Sequence, residues 1–126
     1  MKIGFIGLGS MATAMIGGML AKEMVKPEEI IGSSKTEATM EKIKTKFNIT
    51  TVPENKTVAE EADVLFLAVK PIFLGEVIEE IRASVRPQTL IVSIAAGRDL
   101  HYLKEAFGRP ELKIIRCMPN TPALVL

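Results

Sequence analysis

The stretch Lys2-Ile3-Gly4-Phe5-Ile6-Gly7-Leu8-Gly9-Ser10-Met11-Ala12 decides the fold. Residues 2–7 form a short apolar run, which predicts a buried strand, and residues 10–24 carry apolar side chains at helical spacing. Between them stands the pattern G-x-G-x-x-A. Its first glycine permits a tight turn, its second lets a pyrophosphate approach the backbone, and its alanine still allows the helix to pack on the strand. This context predicts a dinucleotide-binding turn; the alternative is that the glycines only make the turn.

The rest of the chain alternates short apolar strands with amphipathic helices. Strands are predicted at residues 29–33, 49–52, 63–69, 89–95 and 113–117, and helices at residues 36–47, 56–62, 73–85 and 99–107. Asp99 is a candidate N-cap for the last helix, and Phe73 is expected on the buried face of the helix before it. The alternation predicts one α/β domain built on a doubly wound parallel sheet with right-handed crossovers. Ligands of such sheets bind at the carboxyl ends of the strands.

The composition excludes several other classes of protein. The chain has 126 residues, enough for one domain, and it is 48% hydrophobic and 25% charged, which excludes bulk disorder. The net charge of +1 disfavours a basic nucleic-acid-binding surface, and no apolar run reaches the ~18 residues of a membrane span. A single cysteine, Cys117, allows neither an intrachain disulfide nor a cysteine-based zinc site. We therefore expect a cytoplasmic protein without a metal, nucleic-acid or membrane partner.

The end of the second strand bears on the choice of dinucleotide. Domains that prefer NAD usually place Asp or Glu about 20 residues beyond the glycine turn, to bind the ribose hydroxyls. Here the strand ends in Ser33, Ser34 and Lys35, whereas Glu28 and Glu29 precede it and should lie at its far end. Hydroxyl and ammonium donors suit a 2′-phosphate. The sequence therefore predicts NADP(H) in preference to NAD(H); an ordinary polar turn is the alternative.

Three later strand ends add candidate cofactor contacts, and none adds a catalytic group. They are Ala68-Val69-Lys70-Pro71, Ser93-Ile94-Ala95-Ala96-Gly97 and Cys117-Met118-Pro119-Asn120-Thr121-Pro122. Small residues such as Ala68 let a ligand approach the backbone, and Lys70 is either a phosphate contact or a solvated side chain. Cys117 and His101 have no partner at catalytic spacing. No residue is a convincing general acid, so we predict no catalytic residue in this chain.

These motifs occur in the order found in Δ1-pyrroline-5-carboxylate reductases, and the whole chain resembles the N-terminal domain of that family. The resemblance implies a Rossmann-type domain of an enzyme that reduces pyrroline-5-carboxylate to L-proline with a nicotinamide cofactor, the last step of proline biosynthesis. It implies pyrophosphate contacts from Ile6, Gly7, Leu8, Gly9, Ser10 and Met11. It further implies contacts to the adenosine 2′-phosphate from Ser33, Ser34 and Lys35, and to the adenosine ribose from Asn55. Along the rest of the cofactor it implies Ala68, Val69, Lys70 and Pro71, with Ala95, Ala96 and Asn120 beside the nicotinamide.

The chain departs from the family pattern at its end. The family continues into a helical domain that dimerises and supplies much of the imino-acid site, whereas this sequence ends at Leu126. We therefore expect residues 1–126 to be the cofactor domain of a longer, homo-oligomeric enzyme. Two alternatives remain open: a β-hydroxyacid dehydrogenase or deazaflavin-linked NADP reductase domain, and a non-enzymatic dinucleotide-sensing domain.

Overall fold

The fold is a six-stranded parallel sheet flanked by helices on both faces. The structure is a computed structural model that describes residues 1–94 and 98–117. The strands are β1 (Ile3–Ile6), β2 (Ile30–Ser33), β3 (Thr50–Val52), β4 (Val64–Leu67), β5 (Leu90–Ser93) and β6 (Lys113–Arg116). The helices are α1 (Ser10–Ala21), α2 (Glu37–Phe47), α3 (Asn55–Glu61), α4 (Pro71–Ile81) and α5 (Leu100–Phe107).

The strand order β3-β2-β1-β4-β5-β6 confirms the predicted doubly wound sheet. Every neighbouring pair is parallel, with Ile6 level with Ser33 on one side and with Leu67 on the other. The chain reverses its direction of travel across the sheet between β3 and β4. This reversal leaves a crevice at the carboxyl ends of β1 and β4, where ligands of such sheets bind.

Two apolar cores cover the two faces of the sheet. Alternate strand residues such as Ile6 and Leu67 pack with α3, α4 and α5, and the intervening residues, such as Phe5, pack with α1 and α2. The Phe5 and Phe66 rings stack at 4.7 Å on this second face. Both faces of the central strands are therefore covered, which explains their continuous apolar runs.

The predicted elements all form, with boundaries that differ at their ends. α1 ends at Ala21 rather than Met24, and α4 begins at Pro71 rather than Phe73. Proline suits the first helical position because it lacks an N–H that would have no partner there. Asp99 is the predicted N-cap of α5: its Oδ1 accepts from the Tyr102 N–H at 2.8 Å.

The prediction that Phe73 belongs to the buried face of α4 was wrong. Leu74, Val77, Ile78 and Ile81 are buried, and Phe73 is 45% exposed. Phe73 lies in the first turn of α4, close after the end of β4, at the carboxyl edge of the sheet. It therefore belongs to the rim of the crevice.

Within residues 1–94 and 98–117, two kinds of feature are absent. No helix there is both long and apolar enough to cross a membrane. The same residues contain no cluster of three His, Cys, Asp or Glu side chains that could hold a metal ion.

Candidate cofactor site

At position 7, the fold itself requires a glycine, whether or not a ligand is bound. Its φ is +96°, and a β-carbon there would lie 2.8 Å from the Ala68 carbonyl oxygen. Its N–H donates to the Ser33 carbonyl at 3.1 Å, which ties the turn to the end of β2. A side chain would therefore be strained by the backbone conformation and would collide with the end of β4.

Gly9 has a different reason to be glycine. It is the N-cap of α1 with φ −79°, which any residue can adopt, and a β-carbon there would meet no atom of the described residues within 4 Å. Among the described residues, no side chain caps this end of α1. The first N–H groups of a helix lack intrahelical partners and favour an anion. Because Gly9 has no side chain, a pyrophosphate has space to come close to the backbone at the start of α1.

The predicted contact of Ser33 with a 2′-phosphate stays a prediction. Its side chain is fully buried, and its hydroxyl donates to Asn55 Oδ1 at 2.7 Å. In this arrangement the hydroxyl proton is bound by Asn55. Ser34 is partly exposed, its Oγ accepts from the Thr36 N–H at 3.2 Å, and Lys35 is exposed.

Asn55 is the first residue of α3 and is buried. Both ends of its amide are hydrogen-bonded, because Nδ2 donates to Glu80 Oε1 at 2.9 Å while Oδ1 accepts from Ser33. Asn55 thereby links the end of β2 to α4.

The end of β4 comes close to the glycine turn. The Ala68 N–H donates to the Ile6 carbonyl at 2.9 Å, which places Ala68 beside the end of β1. Lys70 is exposed and is the N-cap of α4, and Pro71 is its first residue. Ala68 and Val69 thus border the crevice, whereas the Lys70 side chain extends toward solvent.

A pocket of about 180 Å³ brings six of the predicted residues together. It is lined by Gly7, Ser33, Ser34, Lys35, Asn55, Val69, Phe73 and Val77. All but the last two were predicted as cofactor contacts. Phe73 and Val77 were missed because their spacing fits a core-facing stripe. The available signal was an aromatic residue two positions after the strand-end proline.

The remaining predicted residues are distributed differently. Leu8, Gly9 and Ser10 line a separate groove of about 820 Å³ between α1 and α2. Ile6 is fully buried, and its carbonyl accepts from the Ala68 N–H, whereas Met11 is partly buried. Ala95, Ala96 and Asn120 lie outside the described residues.

Two carboxyl groups whose pKa is lowered, those of Glu29 and Asp63, lie at the opposite, amino edge of the sheet. Glu29 precedes β2, and a hydrogen bond from the Lys26 backbone N–H holds the pKa of its carboxyl below the usual range. Asp63 precedes β4, and the Lys2 backbone N–H, followed by Arg86, lowers the pKa of its carboxyl. The expected distance of Glu28 and Glu29 from the carboxyl end of β2 is confirmed.

The switch-point crevice and glycine turn define the class: a Rossmann-type dinucleotide-binding domain. A family model described as "NADP oxidoreductase coenzyme F420-dependent" matches residues 2–97. The chain belongs to this family, and within it to the N-terminal domain of the pyrroline-5-carboxylate reductases. His101, which has no partner at catalytic spacing in the sequence, is exposed on α5, and its Nε2 lies 3.4 Å from Glu105 Oε1.

Pyrroline-5-carboxylate reductases are among the similar proteins found both by sequence and by structure. The pyrroline-5-carboxylate reductase of Escherichia coli (strain K12) is 43% identical over 98% of this chain and 46% of its own length. The structure of the Coxiella burnetii pyrroline-5-carboxylate reductase matches with a TM-score of 0.90 at 32% identity, over 98% of this chain and 46% of that one. The structure of the Plasmodium falciparum pyrroline carboxylate reductase with NADP bound matches with a TM-score of 0.81 at 32% identity. The match covers 98% of this chain and 44% of that one. The chain spans about half the length of the curated relatives it matches.

Proposed function

We propose that this chain is the cofactor-binding part of a pyrroline-5-carboxylate reductase. The complete enzyme would reduce the C=N bond of 1-pyrroline-5-carboxylate to L-proline, in proline biosynthesis, using NADP(H) in preference to NAD(H). The observation that carries the proposal is the open backbone at Gly9, where a β-carbon would meet nothing within 4 Å in the part of the chain that the structure describes. A glycine that neither conformation nor packing demands is explained by a ligand that needs the space.

The glycine turn and the end of β2 each suit a different phosphate of NADPH. The N-terminus of α1 would bind the pyrophosphate, and Ser34 and Lys35 would bind the 2′-phosphate by charge-assisted hydrogen bonds. When bound, NADPH supplies the hydride that reduces the C=N carbon, while a proton is added to the nitrogen. The described residues of this chain orient the cofactor and shield it from water; no general acid is assigned among them.

The same proposal extends to partners and location. The imino-acid substrate would be bound largely by residues outside this chain, in a C-terminal helical domain through which the enzyme forms homo-oligomers. A cytoplasmic location is consistent with the single cysteine. The NADP-bound Plasmodium relative supports the choice of cofactor.

A second candidate comes from the family description, which names coenzyme F420, a deazaflavin. Under this alternative, the domain would exchange hydride between NADP and a deazaflavin. The two candidates are separated by assaying the full-length parent with NADPH and either pyrroline-5-carboxylate or coenzyme F420. Reduction of the imino acid alone supports the proposal, and reduction of F420 alone overturns it.

A further inference from the structure

Three polar side chains from three elements form a hydrogen-bonded chain beside the pocket. Ser33 ends β2, Asn55 begins α3, and Glu80 lies in the last turn of α4. The Ser33 hydroxyl donates to Asn55 Oδ1 at 2.7 Å, and Asn55 Nδ2 donates to Glu80 Oε1 at 2.9 Å. Ser33 and Asn55 are buried, whereas Glu80 is exposed. A surface carboxylate is therefore connected to an amide that lines the pocket.

The two partners of Asn55 together select one orientation of its amide. An ionised carboxylate only accepts hydrogen bonds, so Glu80 must face the NH₂ end. Turning the amide over would set its oxygen against the carboxylate oxygen. It would also leave the fully buried Ser33 hydroxyl proton without its acceptor, which costs free energy.

The position of Glu80 on α4 explains how it reaches Asn55. Phe73, Val77 and Glu80 follow each other at spacings of four and three residues, so they share one face of the helix. Phe73 and Val77 line the pocket, and Glu80 continues this face one turn further. Glu80 is not among the described residues that line the pocket, so it contacts the site through Asn55.

We propose that Glu80 is a positioning residue for the nucleotide. It holds the Asn55 amide with its NH₂ end toward α4 and its oxygen toward β2. Asn55 then offers a fixed set of hydrogen-bonding groups to the adenosine-ribose end of the cofactor. This inference rests on the proposed function, because it requires a nucleotide beside Ser34 and Lys35.

A different role for Glu80 is possible on charge alone, and the test separates the two. A carboxylate near a 2′-phosphate repels it, whereas the 2′-hydroxyl of NADH carries no such charge. If Glu80 acted by repulsion, removing its charge would tighten NADPH binding and leave NADH unchanged. If it acts by holding Asn55, losing the acceptor weakens both nucleotides.

The test measures NADPH and NADH binding to the 126-residue chain by calorimetry for wild type, Glu80→Ala and Glu80→Gln. We expect Glu80→Ala to weaken both nucleotides about five- to tenfold, the loss of one hydrogen-bonded orientation. Glu80→Gln should stay within about twofold of wild type, because the glutamine oxygen accepts the same bond. Glu79→Ala is the matched control: Glu79 is exposed on the same helix and pairs only with Arg82, at 3.5 Å, among the described residues. It should change nothing.

Nuclear magnetic resonance of the Asn55 side-chain NH₂ gives a readout that general destabilisation would not move. Without nucleotide, its two proton resonances should move in Glu80→Ala and stay in place in Glu80→Gln. Should Glu80→Ala unfold, Glu80→Met, which keeps the volume without an acceptor, replaces it.

Each outcome decides the matter. Unchanged affinities in Glu80→Ala, with wild type binding NADPH, overturn the positioning role and leave the proposed function standing. Tighter NADPH binding in both Glu80 variants, with NADH unaffected, overturns it in favour of charge repulsion. A wild-type chain that binds neither nucleotide overturns the proposed function and this inference together.

Discussion

At the level of single residues, Gly7 and Gly9 differ in what a side chain would disturb. We expect Gly9→Val to lower the affinity for NADP(H) and NAD(H) together by at least about tenfold, because the valine would occupy the space of the shared pyrophosphate. Its φ of −79° and its open surroundings predict an unchanged fold. Calorimetric binding and thermal melting of the variant measure both quantities.

Gly7→Ala is the matched comparison for this experiment. At Gly7, φ is +96° and a β-carbon would lie 2.8 Å from a carbonyl oxygen, so this variant should lose melting temperature as well as binding. If Gly9→Val keeps its cofactor affinity, the glycine turn has only a structural role. The dinucleotide proposal would then fail.

Lys35 is the exposed cation of the predicted 2′-phosphate site. We expect Lys35→Glu to weaken NADP(H) while sparing NAD(H), because a carboxylate repels the 2′-phosphate but accepts a hydrogen bond from a free ribose hydroxyl. Titration of both cofactors against wild type and variant gives the affinity ratio.

Lys44→Glu controls for the change in overall charge. Lys44 is exposed in the last turn of α2 and is not among the described residues that line the pocket. If the two variants change the NADP-to-NAD affinity ratio equally, Lys35 makes no specific contact.

At the level of elements, Asp63 joins the starts of β1 and β4 to the segment after α4. Its Oδ2 accepts from the Lys2 N–H at 2.7 Å, and its Oδ1 accepts from Arg86 Nη2 at 2.9 Å. Arg86 also donates to the Ala62 carbonyl at 2.7 Å. This network lies at the amino edge of the sheet, away from the crevice, so changing it should alter stability and leave cofactor contacts in place.

The network predicts a pH dependence of stability. The pKa of Asp63 is lowered from 3.8, first by the Lys2 backbone N–H and then by Arg86, so the folded state binds its proton less readily than the unfolded state. The stabilisation is therefore fully present above pH 3.8 and is lost as pH falls through the lower, folded-state pKa. We expect Asp63→Asn to melt below wild type at pH 7, and the gap to close in acid. Melting curves across pH check this; a gap that does not change with pH contradicts it.

At the level of the whole molecule, binding and turnover should separate. The chain carries the glycine turn, yet it spans 46% of the length of its E. coli relative. If the imino-acid site depends on residues beyond this chain, the 126 residues should bind NADP(H) and reduce pyrroline-5-carboxylate slowly or not at all. A turnover number near the enzyme median of about 10 per second would contradict the proposed division of labour. The full-length parent, assayed in parallel, is the positive control.

The elements and the turn could be predicted from the sequence because their signals are local. Apolar periodicity identifies strands and helices within a few residues, and a glycine turn after a strand needs no distant partner. The Gly7 turn, the N-cap at Asp99 and the distance of Glu29 from the carboxyl edge followed in this way. The start of α4 was harder to predict, since Pro71 fits both as a strand terminator and as a first helical residue.

By itself, the sequence determined the parallel α/β order, the glycine turn and the hydroxyl- and lysine-bearing end of β2. Only the tertiary structure decided which of these polar groups remain available to a ligand. The Ser33 hydroxyl donates to Asn55, 22 positions along the chain, and Asn55 donates to Glu80, 25 positions further. Such pairings depend on how β2, α3 and α4 pack against one another. The exposure of Phe73 was also decided by packing. The apolar spacing along α4 shows which residues share a face, but it does not show how far that face extends past the end of β4.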